Sequence, residues 1–349
     1  MLRPGAPSPA EANNATRTPD LSVVVNTRNR ADWLEGALQS LITERASASE
    51  DAAPYEIEIL VIDQSTDERS RAIAHKLPIR YVRHEGTGLS TSRNVGIALA
   101  RGPWVAFIDD DARVRPGWAR TLLAATQEPL DPRSPVAIAG RVVDLEDGSL
   151  HFSNGAICTD GRHVSVRPLS APLPGDDWVP TGMGTNVAFH QETLMRLGGF
   201  DPFYRYFHDE SDVFLRIAKA GYATRYVDDL IVDHAFAPAD WRSSLLDIDY
   251  AAIVRSQLYF AWIHRPGKAA DSMRRVFGTL FGKKRPLRVV ARRTRRRKLP
   301  LGTGVRHVRR ILIQVVATMT QIAFRKFDDY EADRFNLDDA TEIGGSHFP

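Results

Sequence analysis

Three consecutive aspartates, Asp109-Asp110-Asp111, close the run Trp104-Val105-Ala106-Phe107-Ile108. Adjacent carboxylates repel one another unless they are spread in space or neutralised by a cation. At the carboxyl end of a buried strand they offer the hard oxygen ligands that Mg²⁺ or Mn²⁺ takes, and such an ion is usually held together with substrate phosphates. A solvated turn is the other use of such a triplet.

The elements around the triplet decide between these uses. Leu21-Ser22-Val23-Val24-Val25 reads as a short strand followed by the polar turn Asn26-Thr27-Arg28-Asn29-Arg30, and Trp33, Leu34, Ala37, Leu38 and Leu41 then recur at helical spacing. Ile57 to Ile62 is a second strand, Glu58 included, ending on Asp63-Gln64-Ser65-Thr66-Asp67, where Ser65 or Thr66 can cap the next helix. The segment from Gly86 to Gly96, which contains Ser92-Arg93-Asn94, leads into the helix before the triplet. Strand, polar loop and helix in repetition predict an α/β fold with a largely parallel sheet, whose ligand lies beyond the carboxyl ends of the strands. Loops carrying Asp63, Arg93 and Asp109 to Asp111 would then converge on one crevice.

These motifs, with Gly184-Thr185-Asn186-Val187-Ala188-Phe189, Gly198-Gly199-Phe200-Asp201, His208-Asp209-Glu210-Ser211-Asp212, Ala220-Gly221-Tyr222 and Val232-Asp233-His234, stand in an order that resembles family 2 glycosyltransferases over residues 20 to 235. The resemblance implies the GT-A fold, a Rossmann-like and mostly parallel sheet flanked by helices. It also implies inverting transfer of a sugar from a nucleotide-sugar donor to a carbohydrate or lipid-linked acceptor, as in cell-surface polysaccharide or glycolipid synthesis, with Mn²⁺ or Mg²⁺ offsetting the charge that builds on the diphosphate leaving group. By that resemblance Asp109 and Asp111 are the outer members of an Asp-x-Asp motif, Asp111 the direct metal ligand and Asp109 nearer the ribose or a metal-bound water, with Asp110 between them. His234 matches a position that completes the metal or diphosphate site in part of the family, and a histidine capping a strand end is its rival role.

Thr27, Arg28 and Asn29 fall where the family's first strand opens onto the base, and Asp63 matches an acid that hydrogen-bonds the base edge. Asn26 stands where proline is usual and Arg28 where an aromatic is often found, so guanidinium stacking can replace ring stacking. Arg93 is the expected partner of the diphosphate or of the aspartate loop. Gly182-Met183-Gly184-Thr185-Asn186 reads as a close backbone passage beside the donor sugar, with Asn186 hydrogen-bonding a sugar hydroxyl. Inversion needs a carboxylate on the acceptor side to take the hydroxyl proton. Aligned on Ala220-Gly221-Tyr222, Asp209 and Glu210 fall on the family's Glu-Asp pair with the acids exchanged, so the base is Glu210 or Asp209, Glu210 being favoured by position, and Asp212 braces the helix that starts there. Trp178 could stack on an acceptor ring. Arg242, Tyr250, Arg255, Tyr259, Trp262 and His264 recur on a helix leaving the domain, read as a docking helix.

Composition limits the alternatives. A nicotinamide-dependent oxidoreductase would need G-x-G-x-x-G after the first strand, and a nucleotidyltransferase a Gly- and Arg/Lys-rich loop there; neither is present. A non-catalytic nucleotide-sugar or glycan-binding module is favoured only by the exchanged acids. Residues 1–19 read as a disordered lead-in, 20–262 as the glycosyltransferase domain, 263–330 as a basic, amphipathic helical extension and 331–349 as a flexible tail. Arg265 to Arg310 holds 17 Lys or Arg and a single acid, Asp271, a net +16 against +3 for the whole chain. Followed by the apolar stretch from Ile311 to Phe324, this block reads as an anchor to an anionic membrane surface; no nucleic-acid reading module accompanies it. No 18-residue apolar run is present, and the single cysteine, Cys158, reads as a buried small residue that suits a reducing cytoplasm, with the protein peripheral on the inner face of the membrane.

Overall fold

Alternation of side chains along the central strands divides the core in two. In the computed structural model, which describes residues 18–50, 54–127, 135–204, 207–235, 237, 249–264, 278, 280, 286–324, 334, 335, 337 and 339–342, the strands β1 (Leu21–Thr27), β2 (Ile57–Asp63), β3 (Arg80–His84) and β4 (Trp104–Asp109) form a parallel array in the order β3-β2-β1-β4. Val23, Val25, Ile59, Val61, Ala106 and Ile108 point to one face and Val24, Leu60, Ile62, Val105 and Phe107 to the other. Strands buried on both faces need apolar residues at every position, which is why these segments read as continuous runs. Glu58 of β2 departs from this and is accommodated: its carboxylate accepts from Ser22 Oγ and Arg80 Nη1, each at 2.5 Å, and from the Arg101 amide at 2.9 Å.

Helices α1 (Ala31–Ser49), α2 (Arg69–Ala74), α3 (Leu89–Leu99) and α4 (Trp118–Gln127) make the crossovers and cover the sheet. Leu34, Leu38 and Leu41 of α1 join Trp118 and Leu122 of α4 on one face, and Val95 and Ile97 of α3 lie on the other. Glu44 of α1 accepts from the backbone amides of Gly117 (2.9 Å) and Ala119 (2.8 Å), satisfying donors that a helix start leaves open.

Beyond β4 the sheet becomes mixed. Short β5 (Ala112–Val114) is followed by β6 (Pro135–Asp144), β7 (Leu150–Phe152), β8 (Gly155–Cys158), β9 (His163–Val164), β10 (Trp178–Thr181), β11 (Val187–His190) and the long β12 (Ala223–His234). Strand β11 inserts antiparallel between β4 and β6, β12 runs parallel to β6, and β5 pairs antiparallel with β12; β8, β9 and β10 form a separate small sheet. Helices α5 (Gln191–Arg196) and α6 (Asp209–Lys219) flank this half.

The chain then folds back. Helix α7 (Tyr250–His264) packs Tyr259 and Phe260 against Phe203, Tyr204 and Leu215, and α8 (Pro286–Arg295) and α9 (Leu301–Phe324) pack Val290 and Ile311 against Tyr250, Val254 and Leu258. Residues 340–342, expected in a flexible tail, instead form β13 (Ala340–Glu342), antiparallel to β3 at the sheet edge. Backbone pairing and the Arg80–Glu342 ion pair (2.8 Å) hold it there, and Phe335 packs on the core. Residues 1–17, Arg242, and most of 265–285 and 325–349 lie outside the described residues.

Candidate active site

Register places the metal-ligating candidates together. Asn26 of β1 sits opposite Asp109 of β4 and Thr27 opposite Asp63 of β2, so both acids stand at the carboxyl ends of parallel strands. The antiparallel pairing of β5 with β12 sets His234 opposite Ala112, which brings the imidazole beside Asp111. His234 Nε2 lies 3.0 Å from Asp111 Oδ1 and 3.8 Å from Asp109 Oδ2. Donor atoms of Asp109, Asp111 and His234 all fall within 4.8 Å of one another. Two carboxylates and an imidazole fit Mn²⁺ or Mg²⁺, and Asp109 is the member whose side chain keeps about a third of its surface open, at 32%.

The three aspartates differ in surroundings. Asp110 is buried, accepting from Thr27 Oγ1 at 2.8 Å and pairing with Arg30 Nη1 at 2.8 Å. Burial pushes its carboxyl up to about 7, Arg30 opposing and the charge of Asp111 adding to the rise. Asp111 is also buried, but the hydrogen bond and charge of His234, the Arg30 guanidinium and the Ala237 amide (2.7 Å) hold it well below the usual carboxylate range. The same contact holds the His234 imidazolium against the cost of burial, raising its pKa.

Arg93 joins this cluster to the second acidic group. Its guanidinium is buried against Phe200 and Phe107, 5.0 and 5.6 Å from the ring centres. Nη1 donates to Asp209 Oδ2 at 2.5 Å, Nη2 donates to the Gly184 carbonyl at 3.3 Å, and Nη2 stands 3.8 Å from Asp109 Oδ1. A side chain at position 184 would press on this guanidinium, since an added Cβ would come within 2.5 Å of Nη2. Asp209 and Glu210 open α6, where the helix dipole favours acids. The residues before them, Phe207 and His208, both adopt left-handed φ (73° and 72°), a conformation that L side chains adopt at a cost. Burial first, then the Asp209 charge and a hydrogen bond to Asp209, push the Glu210 carboxyl well above the usual range, while its side chain stays partly exposed.

Of the remaining expected residues, some stand at the strand ends and others inside the protein. Arg28 is exposed at the end of β1, and Asn29, at φ 55°, ties the first two loops together by receiving the Thr66 amide at Oδ1 (2.8 Å) and donating its own amide to Ser65 Oγ (2.8 Å). Asp63 is enclosed, with Oδ1 on the Ser65 amide (2.7 Å) and Oδ2 on the Tyr81 hydroxyl (2.6 Å) and Arg83 (3.3 Å). Asn186 is not brought to the cleft. Its Oδ1 receives Trp118 Nε1 at 3.0 Å and its Nδ2 donates to the carbonyls of Arg141 (2.9 Å) and Leu230 (2.8 Å), so it braces β6, β12 and α4 from inside. Trp178 begins β10 under Arg162, and Tyr250, Arg255, Tyr259, Trp262 and His264 belong to the packed helix α7, Arg255 stacking on Phe203 at 4.1 Å. Cys158 is buried, and burial with a hydrogen bond to Asp160 pushes its thiol up to about 11.

Two contributors carried no expected role. Arg30 spans Asp110 and Asp111, and its only sequence signal is its place three residues after Thr27 in the same turn. Thr185 Oγ1 receives the Asp109 amide at 3.1 Å, fixing the end of β4 from the loop that also carries Gly184.

Comparison with known proteins shows the family and the fold. A family pattern described as glycosyl transferase family group 2 matches residues 104–322, and one described as glycosyl transferase family 2 matches residues 22–142. Among curated relatives, hyaluronan synthase of Pasteurella multocida is 24% identical over 62% of this chain and 25% of its own length. The pre-mycofactocin glycosyltransferase of Mycobacterium tuberculosis is 27% identical over 64% of this chain and 44% of its own. The succinoglycan biosynthesis protein ExoO of Rhizobium meliloti is 28% identical over 36% of each. The chain thus spans between a quarter and less than half of the length of these relatives. Among solved structures, the mannosyltransferase PcManGT from Pyrobaculum calidifontis, in complex with GDP-Man and Mn²⁺, shares the GT-A fold over 89% of both chains, with a TM-score of 0.50 and 20% identity. With a family pattern covering more than half of its residues, the chain belongs to the family 2 glycosyltransferases.

Proposed function

We propose that the protein is an inverting, metal-dependent glycosyltransferase that moves a sugar from a nucleotide-sugar donor to a carbohydrate or lipid-linked acceptor in cell-surface polysaccharide or glycolipid synthesis. One observation carries this reading: the Asp109–Asp111–His234 cluster and the Asp209–Glu210 pair lie on either side of one buried arginine, Arg93. A metal-binding face and a proton-accepting face are thereby held at a fixed spacing, the arrangement an inverting displacement requires.

In this reading Asp109, Asp111 and His234 hold Mn²⁺ or Mg²⁺, which when bound supplies Lewis-acid stabilisation of the leaving diphosphate. Thr27 and Arg30 keep Asp110 and Asp111 in place. Arg28, exposed at the end of β1, faces the nucleotide, and the loops around Asn29 and Asp63 shape the base site. Arg93 and the backbone at Gly184 border the donor sugar. Glu210 takes the acceptor proton: burial and the neighbouring Asp209 raise its proton affinity above that of an ordinary carboxylate, whereas Asp209 is committed to Arg93. An anionic membrane surface on the cytoplasmic side would present a lipid-linked acceptor to this face.

A thermal-shift panel of nucleotide sugars with Mn²⁺ tests the donor half of this reading. A ligand at ~100 times its dissociation constant adds about 2.7 kcal/mol of stability. The correct donor should raise the midpoint only with the metal, and Asp111→Asn should remove that shift. Equal shifts with and without metal would speak against the proposed metal site.

A further inference from the structure

Helix α9 buries one side and exposes a second apolar line. Gly304, His307, Ile311, Thr318 and Ile322 face the protein, at the three-, four- and seven-residue spacings of one helix face. Leu301, Val305, Leu312 and Val316 fall on a neighbouring line, with Val308 completing its spacing, and they stand 72%, 62%, 49% and 68% exposed. Ile313 lies beside them, also exposed. Single exposed aliphatics are ordinary, but a continuous line of them marks a surface meant to be covered.

The flank of that line is basic. Arg306, Arg309 and Arg310 border it on α9, and exposed Arg288, Arg292, Arg295, Arg296, Arg297 and Lys298 precede it in α8 and the following turn. Residues 286–324 contain ten Lys or Arg and no acid. No helix among the described residues is long and apolar enough to cross a membrane. An amphipathic helix with aliphatic residues on one line and arginines along its edge lies in the plane of an interface instead.

We propose that this face docks on an anionic lipid bilayer, the line Leu301–Val305–Leu312–Val316 entering the acyl boundary and the arginines meeting the headgroups. The occupant follows from complementarity of both kinds. Nucleic acid would match the charge, but the line offers only aliphatic side chains and no aromatic platform for bases. A second copy of the same face would set its arginines against their own kind. Each basic residue close to an anionic surface strengthens binding by roughly fivefold, within reach of the Debye length.

Vesicle co-sedimentation of the full chain tests this without any sugar substrate, so it is separable from the transfer reaction. Vesicles of phosphatidylglycerol and phosphatidylcholine should pellet the protein, and pure phosphatidylcholine vesicles should not; rising salt should release it. Val305→Ser with Leu312→Ser and Val316→Ser should weaken partition by about tenfold or more, as should replacement of Arg295, Arg296, Arg297 and Lys298 by Gln. If the serine variant does not fold, Leu312→Cys carrying a polarity-sensitive dye reports the same contact, since Cys158 is buried. A blue shift with anionic vesicles is expected. Equal pelleting by neutral vesicles, undiminished pelleting of the serine variant, or an unshifted dye would overturn the proposal, as would a dimer that disappears in the serine variant while no vesicle binds.

Discussion

Arg93 and Asp209, 116 positions apart, form a buried ion pair 2.5 Å long, and the same guanidinium lies 3.8 Å from Asp109. One side chain from the start of α3 therefore fixes the distance between the end of β4 and the start of α6. Breaking a buried pair from one side leaves an uncompensated charge, which costs ~3–5 kcal/mol.

Arg93→Ala should accordingly lower the stability of the folded chain by about that amount. Arg93→Lys keeps the charge but cannot address Asp209 and the Gly184 carbonyl with one planar fork, so it should recover only part of the loss. Urea unfolding of both variants checks this, and wild-type midpoints in both would mean the pair is incidental.

Glu210→Gln removes proton acceptance while preserving shape. Transfer should fall by ~10²–10⁴-fold with donor affinity retained. In the wild type the raised proton affinity of Glu210 places the acid limb of the rate profile above the ordinary carboxylate range: the rate should fall as pH drops through it, because the protonated acid cannot accept the hydroxyl proton. Should Asp209→Asn reproduce that behaviour and Glu210→Gln not, the roles are exchanged.

Asp212 gives the fold an acid sensitivity distinct from that of the rate. Burial alone would raise its carboxyl, but Arg216 (2.7 Å) and His264 (2.7 Å) hold it well below the usual range. A carboxyl lowered on folding stabilises above its unfolded value, near ~3.9, and that contribution drains away as pH falls further toward the folded value. Thermal midpoints should therefore drop steeply below about pH 4, and His264→Gln should both lower the neutral midpoint and flatten that drop.

Asn186 should behave as a structural residue. Asn186→Ala strands Trp118 Nε1 and two carbonyls inside the protein, at ~1–3 kcal/mol for each group left unsatisfied. Denaturant unfolding should show that loss, while the donor KM of the surviving folded fraction stays near the wild-type value. A raised KM at unchanged stability would instead put its amide on the sugar.

The sequence is most legible where local pattern and burial coincide. β1, β2 and β4 are largely apolar on both faces, so they read as strands without knowledge of their partners, and the acids ending β2 and β4 had to lie at the same carboxyl end of the sheet. Side-chain direction was less accessible. Asn186 turns inward because Gly140 leaves room for it, an added Cβ there coming within 2.4 Å of its Nδ2, and no pattern around position 186 carries that information. The approach of His264 to Asp212 joins residues 52 apart through helix packing. Strand β13 is three residues without apolar alternation and exists by pairing with β3. Arg30 is one of two arginines in its turn by sequence, and only the end of β4 beside it, with Asp110 and Asp111, gives it a partner.

The central claim is metal-dependent sugar transfer at the Asp109–Asp111–His234 cluster. Release of nucleoside diphosphate from a panel of nucleotide sugars, followed by chromatography with Mn²⁺ and with EDTA, tests it most directly. At least one donor should be turned over with Mn²⁺, EDTA should abolish the release, and Asp111→Asn should match the EDTA result while Asn186→Gln, if folded, should not. Turnover that persists in EDTA, or in Asp111→Asn at the wild-type rate, would contradict the account.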